Sequence, residues 1–344
     1  MCSAIPSKLE NVGVVAIGRN EGERLRRCLA SIPSSISTIT YVDSGSTDQS
    51  VSLARERGAH VVELDMSVPF TAARARNAGV ARIVEASPRT EFVLVIDGDC
   101  ELVSGFVEAA LQPMQRDPKT AVVCGRRRER NRSATIYNRL CDMEWDAPVG
   151  QVTECGGDAL IRLAAFQQVG GYDDAIIAGE EPELCFRLRR EGWAIYRIPH
   201  DMTLHDADMT RFDQWWKRSV RAGHAYAEGY ARHGYWSREV KSALAYGGVL
   251  PPLALATGAA TLGLGLSLFA AHGVLFARVR NHRLAKGDSP DDASLYAQFV
   301  VLSKFAHVVG MAKYVKTRAL GQQARIIEYK TASDNSPPRP EVPS

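Results

Sequence analysis

The chain has no Cys-x-x-Cys pair, and its seven cysteines are odd in number. That excludes a zinc ribbon and argues against a disulfide framework, so a reducing compartment is the expectation. An excess of one charge is also missing: 42 Lys and Arg stand against 39 Asp and Glu, a net +3. So small a surplus gives no electrostatic reason to expect nucleic acid as a partner. No Gly-x-Gly-x-x-Gly follows any candidate strand, which speaks against a nicotinamide enzyme. There is no internal repeat and no visible secretory signal. The first apolar run, 12–17, is too short and leads straight into Arg19, Asn20 and Glu21.

What is present is an ordinary globular balance, 45% hydrophobic and 24% charged over 344 residues. That length suits one large α/β domain with an appendage, or two domains. From about residue 11 to 235, short β-branched runs alternate with amphipathic stretches. Strands are expected at 12–17, 38–42, 60–64 and 91–96, and helices at 21–32, 48–57 and 72–86. Strands separated by helices of this length imply crossover connections and a mostly parallel sheet flanked by helices.

Chemistry concentrates where strands end. Asp97-Gly98-Asp99 follows the apolar run 92–96 directly. In open parallel sheets, ligands bind beyond the carboxyl ends of strands, so both carboxylates are aimed at a site. Two acids around a glycine can hold Mg²⁺ or Mn²⁺ completed by substrate phosphates, although a polar turn capping the strand is the plainer alternative. The second strand also ends in acid, at Asp43, with Gly45 permitting a tight turn and Asp48 suited to cap the next helix. Arg76 and Asn77 lie in a helical stretch between these two acidic turns.

Val14-Val-Ala-Ile-Gly-Arg-Asn20-Glu21, Val42-Asp43-Ser-Gly-Ser-Thr-Asp48, Ala75-Arg76-Asn77-x-Gly79 and Asp97-Gly-Asp99 together resemble family 2 glycosyltransferases in order and spacing. The resemblance implies the GT-A nucleotide-sugar fold over about residues 11–235. It also implies that Ala16 and Ile17 line a nucleobase pocket and that Glu21 lies beside the ribose. Asp43 would then recognise the base, Arg76 approach the base or diphosphate, and Asp97 and Asp99 hold ribose and metal. Asp158, in Gly156-Gly157-Asp158, resembles a donor-sugar ligand, with an ordinary loop acid as the alternative.

Further along, Gly179-Glu180-Glu181-Pro182-Glu183 heads a stretch expected to be helical over 182–191. Acids at a helix start are stabilised by the helix dipole, which alone accounts for one or two of the three. By resemblance, Glu181 stands where the family has its catalytic base, an aspartate, and Glu180 where it has the preceding acid. Glu183 is then the dispensable one. His205 resembles a histidine aimed at the metal or diphosphate. Processive members carry Gln-x-x-Arg-Trp, whereas this chain has Gln214-Trp-Trp-Lys-Arg218, which points to a non-processive enzyme. Arg218 and Arg221 remain available to a diphosphate. The run 126–132 holds five arginines and reads as a solvated loop or as a contact for an anionic acceptor.

Residues 246–277 contain no Asp, Glu, Lys or Arg. This exceeds the roughly 20 residues that span a bilayer. Basic residues flank both sides (Arg238 and Lys241 before, Arg278, Arg280, Arg283 and Lys286 after), so a hairpin or surface-lying element at the cytoplasmic face of the cell membrane is expected, with a buried helix pair of a soluble protein as the plainer alternative. The expected organisation is a catalytic domain over 11–235, an apolar membrane-associating helical region over 236–330, and a Pro-rich disordered tail over 331–344. The expected activity is inverting sugar transfer from a nucleotide-diphosphate sugar to a hydroxyl of a carbohydrate or lipid-linked acceptor, with Mg²⁺ or Mn²⁺. A nucleotidyltransferase and a non-catalytic sugar-nucleotide-binding scaffold are the alternatives from other classes.

Overall fold

The structure is a computed structural model that describes residues 9–322 and 325–328. The tail expected over 331–344 lies outside the described residues. The first half repeats strand and helix: β1 (Val12–Gly18), α1 (Glu23–Ser31), β2 (Thr38–Asp43), α2 (Ser50–Glu56), β3 (His60–Glu63), α3 (Ala72–Ala86) and β4 (Phe92–Asp97). These four strands pair in parallel in the order β3-β2-β1-β4. Helix α1 starts two residues later than the sequence pattern suggests. Asn20 and Gly22 both take positive φ, 57° and 48°, so the chain turns sharply after β1 before it can coil.

The second half continues with β5 (Cys100–Leu102), α4 (Phe106–Arg116), β6 (Thr120–Glu129), α5 (Ile136–Glu144), β7 (Gly150–Gln151), β8 (Ala159–Arg162), α6 (Leu163–Gln168), α7 (Glu180–Arg190), β9 (Ala194–His205) and α8 (Phe212–His233). The full sheet order is β3-β2-β1-β4-β8-β6-β9-β5, with β7 on β9. Beyond β4 the sheet is mixed: β8 runs antiparallel to both β4 and β6, while β6 and β9 are parallel. A two-residue link such as Gly98-Asp99 cannot make a parallel crossover, which needs a dozen residues or more. The arginine run is part strand and part turn, with Arg130 and Arg132 in the turn after β6. Arg126, Arg127 and Arg128 lie in β6 against β9, and carboxylates such as Asp142, Asp158 and Glu101 pair with the run. Each arginine of the run thus has a carboxylate partner within the fold.

The C-terminal region is helical: α9 (Ser237–Ala243), a π-helical turn over Leu244–Val249, α10 (Leu250–Ala260), a 3₁₀ turn over Leu264–Phe269, α11 (Ala270–Ala285) and α12 (Pro290–Ala319). The uncharged stretch folds back on itself as a hairpin. Leu262 and Gly263 turn through positive φ of 49° and 98°, and the His272 ring meets the Tyr246 carbonyl at 2.7 Å. The hairpin tip is bare, with Leu262 fully exposed and Leu264 largely so. Two helical stretches, Ser237–Ala260 and Pro290–Ala319, are long and apolar enough to cross a membrane. Helix α12 nevertheless docks on α8. A Cβ added to Gly310 would lie 2.0 Å from the Val220 carbonyl oxygen, and one on Gly223 2.2 Å from that of His307. Only glycine lets the two backbones come so close.

Candidate active site

A cavity of about 840 Å³ opens at the carboxyl ends of β1 and β4. The Gly98 N–H donates to the Ile17 carbonyl at 2.7 Å, which draws the Asp97-Gly98-Asp99 turn against β1. Ile17, Gly18 and Glu21 line the cavity. Ala16 does not: it is wholly buried one residue deeper in β1, because alternate strand residues face opposite sides of the sheet. Asp43 is also withdrawn. Its carboxylate accepts from Tyr41 Oη at 3.1 Å and from the N–H groups of Gly45 and Ser46 at 2.9 and 2.8 Å. It therefore shapes the turn that presents Ser44, the residue that does reach the cavity. Glu21 accepts from Arg24 Nε at 2.9 Å at the same end.

Two guanidiniums tie the acids together. Arg76 is 2% exposed. Its Nη2 donates to Asp97 Oδ1 at 2.8 Å, and its Nη1 to Glu180 Oε1 and Glu181 Oε1, each at 2.9 Å. Arg127 Nη2 donates to Asp97 Oδ2 at 3.1 Å, and its Nε to Asp158 Oδ2 at 3.0 Å. Burial pushes the Asp97 carboxyl up, but Arg76 and Arg127 outweigh it and hold the group below its ordinary range. Asp158, expected beside the donor sugar, is fully buried. Its oxygens accept from the Asp97 N–H, Arg127 and Thr203 Oγ1, so it anchors the floor of the site. Gly157 admits this web: a Cβ there would meet Arg76 Nη2 and Asp97 Oδ2 at 2.8 Å.

Asp99 and His205 converge from β4–β5 and β9, with Asp99 Oδ2 3.3 Å from His205 Nε2. The donor atoms of Asp99, Cys100 and His205 lie within 4.8 Å of one another. Burial pushes the Cys100 thiol well up, so it stays protonated, 3.6 Å from Asp99 Oδ1. One carboxylate and one imidazole beside an open cavity fit a hard divalent cation completed by phosphate oxygens. Asp97, whose two oxygens already accept from guanidiniums, is the lesser candidate ligand.

Helix α7 begins at Glu180, not at Pro182, because Gly179 takes a positive φ of 85° and starts the coil two residues earlier. Pro182 still falls in the first turn, where its missing N–H has no partner to lose. Glu180 and Glu181 both line the cavity. Burial, reinforced by the neighbouring Glu180 charge and opposed by Arg76, pushes the Glu181 carboxyl up to about 7. Glu183 faces away and is no idle residue: Arg187 pairs with it at 2.6 Å and the His233 ring meets it at 3.0 Å.

Of the far wall, the sequence motifs pointed to Arg218 and Arg221 on α8 but to nothing on α12. This wall is built by α8 and α12, with Trp215, Arg218 and Arg221 on one and Tyr296, Phe299 and Lys304 on the other. Arg218 Nη1 bonds Glu144 Oε2 at 2.6 Å. Ile326 and Glu328 return to the opposite end, where Glu328 pairs with Arg19 at 3.0 Å. A pattern search has no handle on α12, whose residues join the site from some 200 positions beyond Asp97 only through helix packing.

Residues 14–162 match the family model described as Glycosyl transferase family 2. This chain carries a family 2 glycosyltransferase domain. The matched stretch includes Asp43, Arg76, Asp97, Asp99 and Asp158 and stops before Glu180, Glu181, His205 and Arg218. The glycosyltransferase domain is 31% identical to a TPR repeat-containing protein of Synechococcus elongatus, over 45% of this chain and 38% of that protein. It is 27% identical to an N-acetylglucosaminyl-diphospho-decaprenol L-rhamnosyltransferase of Mycobacterium tuberculosis, over 56% of this chain and 75% of that protein. In fold, the chain resembles a mannosyltransferase from Pyrobaculum calidifontis solved with GDP-Man and Mn²⁺. The TM-score is 0.63 at 16% identity, over 90% of this chain and 88% of that one. The likeness in fold thus runs beyond the glycosyltransferase domain into the C-terminal helices.

Proposed function

We propose that the chain is a metal-dependent, inverting glycosyltransferase that moves a sugar from a nucleotide-diphosphate sugar to an acceptor hydroxyl, in surface polysaccharide or glycoconjugate assembly. The observation that carries this is Arg76. One buried guanidinium joins Asp97, at the donor end, to Glu181, whose carboxyl is pushed up to about 7. A base near neutrality, held at a fixed place relative to the donor acids, is what a single displacement requires.

Arg76 occupies Glu181 Oε1, so the proton of the acceptor hydroxyl goes to Oε2. The acceptor oxygen attacks the anomeric carbon from the face opposite the diphosphate. The bond from that carbon to the phosphate oxygen breaks, and the nucleoside diphosphate leaves with the electron pair. Asp99 and His205 would hold a Mg²⁺ or Mn²⁺ ion, which when bound neutralises the departing diphosphate. Glu180, sharing Arg76 with Glu181, sustains the local negative charge that keeps Glu181 basic.

The relatives support the class of reaction: one is named for rhamnosyl transfer onto a diphospho-decaprenol acceptor, and the solved mannosyltransferase holds GDP-Man and Mn²⁺. The catalytic unit on this reading is residues 11–235, and 236–330 is the part that meets the membrane. A hairpin with a bare leucine tip and basic flanks at its root supports association with the cytoplasmic face of the membrane.

Glu181→Gln tests the base directly. Gln keeps the size and the Arg76 contact but loses basicity. Transfer should fall by at least about 10²-fold, the low end for losing a general base, while nucleotide-sugar affinity stays nearly intact. Equal losses in donor binding and turnover would show a structural role. A collapse in Glu180→Gln but not in Glu181→Gln would move the base one residue upstream.

A further inference from the structure

A second cavity, of about 660 Å³, adjoins the first, and its walls are basic. His224, Lys313, Lys316 and Arg325 line it, no carboxylate does, and only Pro69 and Ile327 are apolar. The two cavities share a partition. Pro69 faces the second and Phe70 the first; Arg325 and Ile327 face the second, Ile326 and Glu328 the first. The segment 325–328 thus turns alternate residues to opposite sides, as a strand does. Arg19 pins the partition: its guanidinium lies over the Phe70 ring at 5.1 Å and pairs with Glu328 at 3.0 Å.

Two observations mark this cavity as a place for an anion. Among the described residues, Lys313, Lys316 and Arg325 have no ion pair or hydrogen bond to an acid, so their charges face one space together. His224 is only 3% exposed, yet its Nδ1 has no hydrogen-bond partner. Glu228, one turn further along α8, stays 3.8 Å from that nitrogen and is held by Arg232 at 2.9 Å. Burial and the Lys313 charge push the imidazolium down to about 4, so a neutral ring stands in a positive field. Exposed lysines alone are an ordinary solvated surface. A buried imidazole beside them, left without a bond, is not. With so little apolar wall, a lipid chain has nowhere to lie.

We infer that this cavity is a second anion site, which takes the phosphate group of a small soluble molecule and, through Arg325, holds the 325–328 segment across the Arg19 end of the active cavity. A guanidinium fork and two ammonium groups are the donors a phosphate takes best. The volume is that of an ordinary small-molecule site. The site itself goes beyond the glycosyltransferase reading, and only its role rests on that reading. There the Arg19 end receives the nucleotide, so the neighbouring anion regulates its exchange.

The test is calorimetric titration of the full chain in detergent micelles with inorganic diphosphate, without a divalent cation. Binding should be saturable. Arg325→Gln and the paired change Lys313→Gln with Lys316→Gln should each weaken it about 10-fold, since hydrogen bonds between charged groups are the strong ones. Arg221→Gln, in the active cavity, should leave it unchanged. Loss in Arg221→Gln with the other variants unaffected would put the anion in the active cavity and overturn the proposal. Glu328→Gln separates a tether from a mere charge. It removes a negative charge from the partition, which by simple electrostatics tightens anion binding. If the Arg19–Glu328 contact holds Arg325 in place, binding instead weakens, by about 2–5-fold for an exposed pair. Unchanged or tighter binding would overturn the link through the partition. If the paired lysine change abolished flotation on anionic phospholipid vesicles while diphosphate binding persisted, the cations would belong to a membrane headgroup and the soluble source would fall. A chain that binds diphosphate as expected but transfers no sugar would sink the glycosyltransferase reading and leave this site standing.

Discussion

At the scale of single residues, the site is organised by Arg76, whose guanidinium serves three carboxylates at once. Breaking a buried pair of this kind leaves uncompensated charge, which is why Arg76, Asp97, Glu180 and Glu181 behave as one unit. The acids at strand ends were legible in the sequence, because a carboxylate after an apolar run must emerge at a sheet edge. Their partners were not. Asp43 and Asp158 carry acid in the right motif, yet both are spent on holding turns and guanidiniums, and no spacing rule distinguishes an anchoring acid from a binding one. Arg127 was hidden in a basic run of which only Arg126, Arg127 and Arg128 belong to β6, and no spacing rule says which of these turns to the site.

Glu181 has a consequence for pH. Burial and Glu180 raise its carboxyl from about 4.5 to about 7, so below neutrality it holds the proton and cannot act as base. The turnover number should rise with pH through about 7 and level off above it. A pH–rate profile at saturating donor that stays flat between pH 5.5 and 8 would exclude Glu181 as base. The folding linkage has the opposite sense. A group that binds its proton more tightly in the fold than in the unfolded chain loses its stabilising effect as pH climbs from about 4.5 to about 7.

At the scale of elements, the parallel half of the sheet followed from alternation of apolar runs and amphipathic helices. Helix α3 ends and begins where its pattern places it, from Ala72 to Ala86. The mixed half did not follow, because β5 and β7 are too short to carry a pattern, and β8 takes its direction from the chain's return after Gly157. The docking of α12 is set by glycines. Gly310→Ala drives a methyl into the Val220 carbonyl, and such overpacking costs about 1–3 kcal/mol. For a chain of this length that is a drop of roughly 1–2 °C in melting temperature per kcal/mol. Because α12 walls only the far end of the cavity, acceptor KM should rise in this variant with donor KM unchanged. Gly273→Ala, where an added Cβ meets nothing within 4 Å, is the control and should leave both constants and the melting temperature alone or slightly raised.

At the scale of the whole molecule, the cavity and the apolar hairpin meet at α12, whose Lys304 lines the cavity while its backbone packs on Gly247 at the hairpin root; on the reading proposed above, this sets the chemistry beside a membrane. Vesicles containing anionic lipid should float the intact chain in a density gradient. Leu262→Asp, a charge at the fully exposed hairpin tip, should abolish flotation without altering nucleotide binding, because the tip is remote from β1 and β4. Flotation unchanged in this variant would mean that the hairpin does not enter the bilayer. The most direct test of the whole reading is the anomeric configuration of the product, followed by proton NMR as the full chain transfers sugar from a nucleotide-diphosphate donor in Mn²⁺. Single displacement assisted by Glu181 yields the configuration opposite to that of the donor from the first turnover onward. A product that retains the donor's configuration would contradict it.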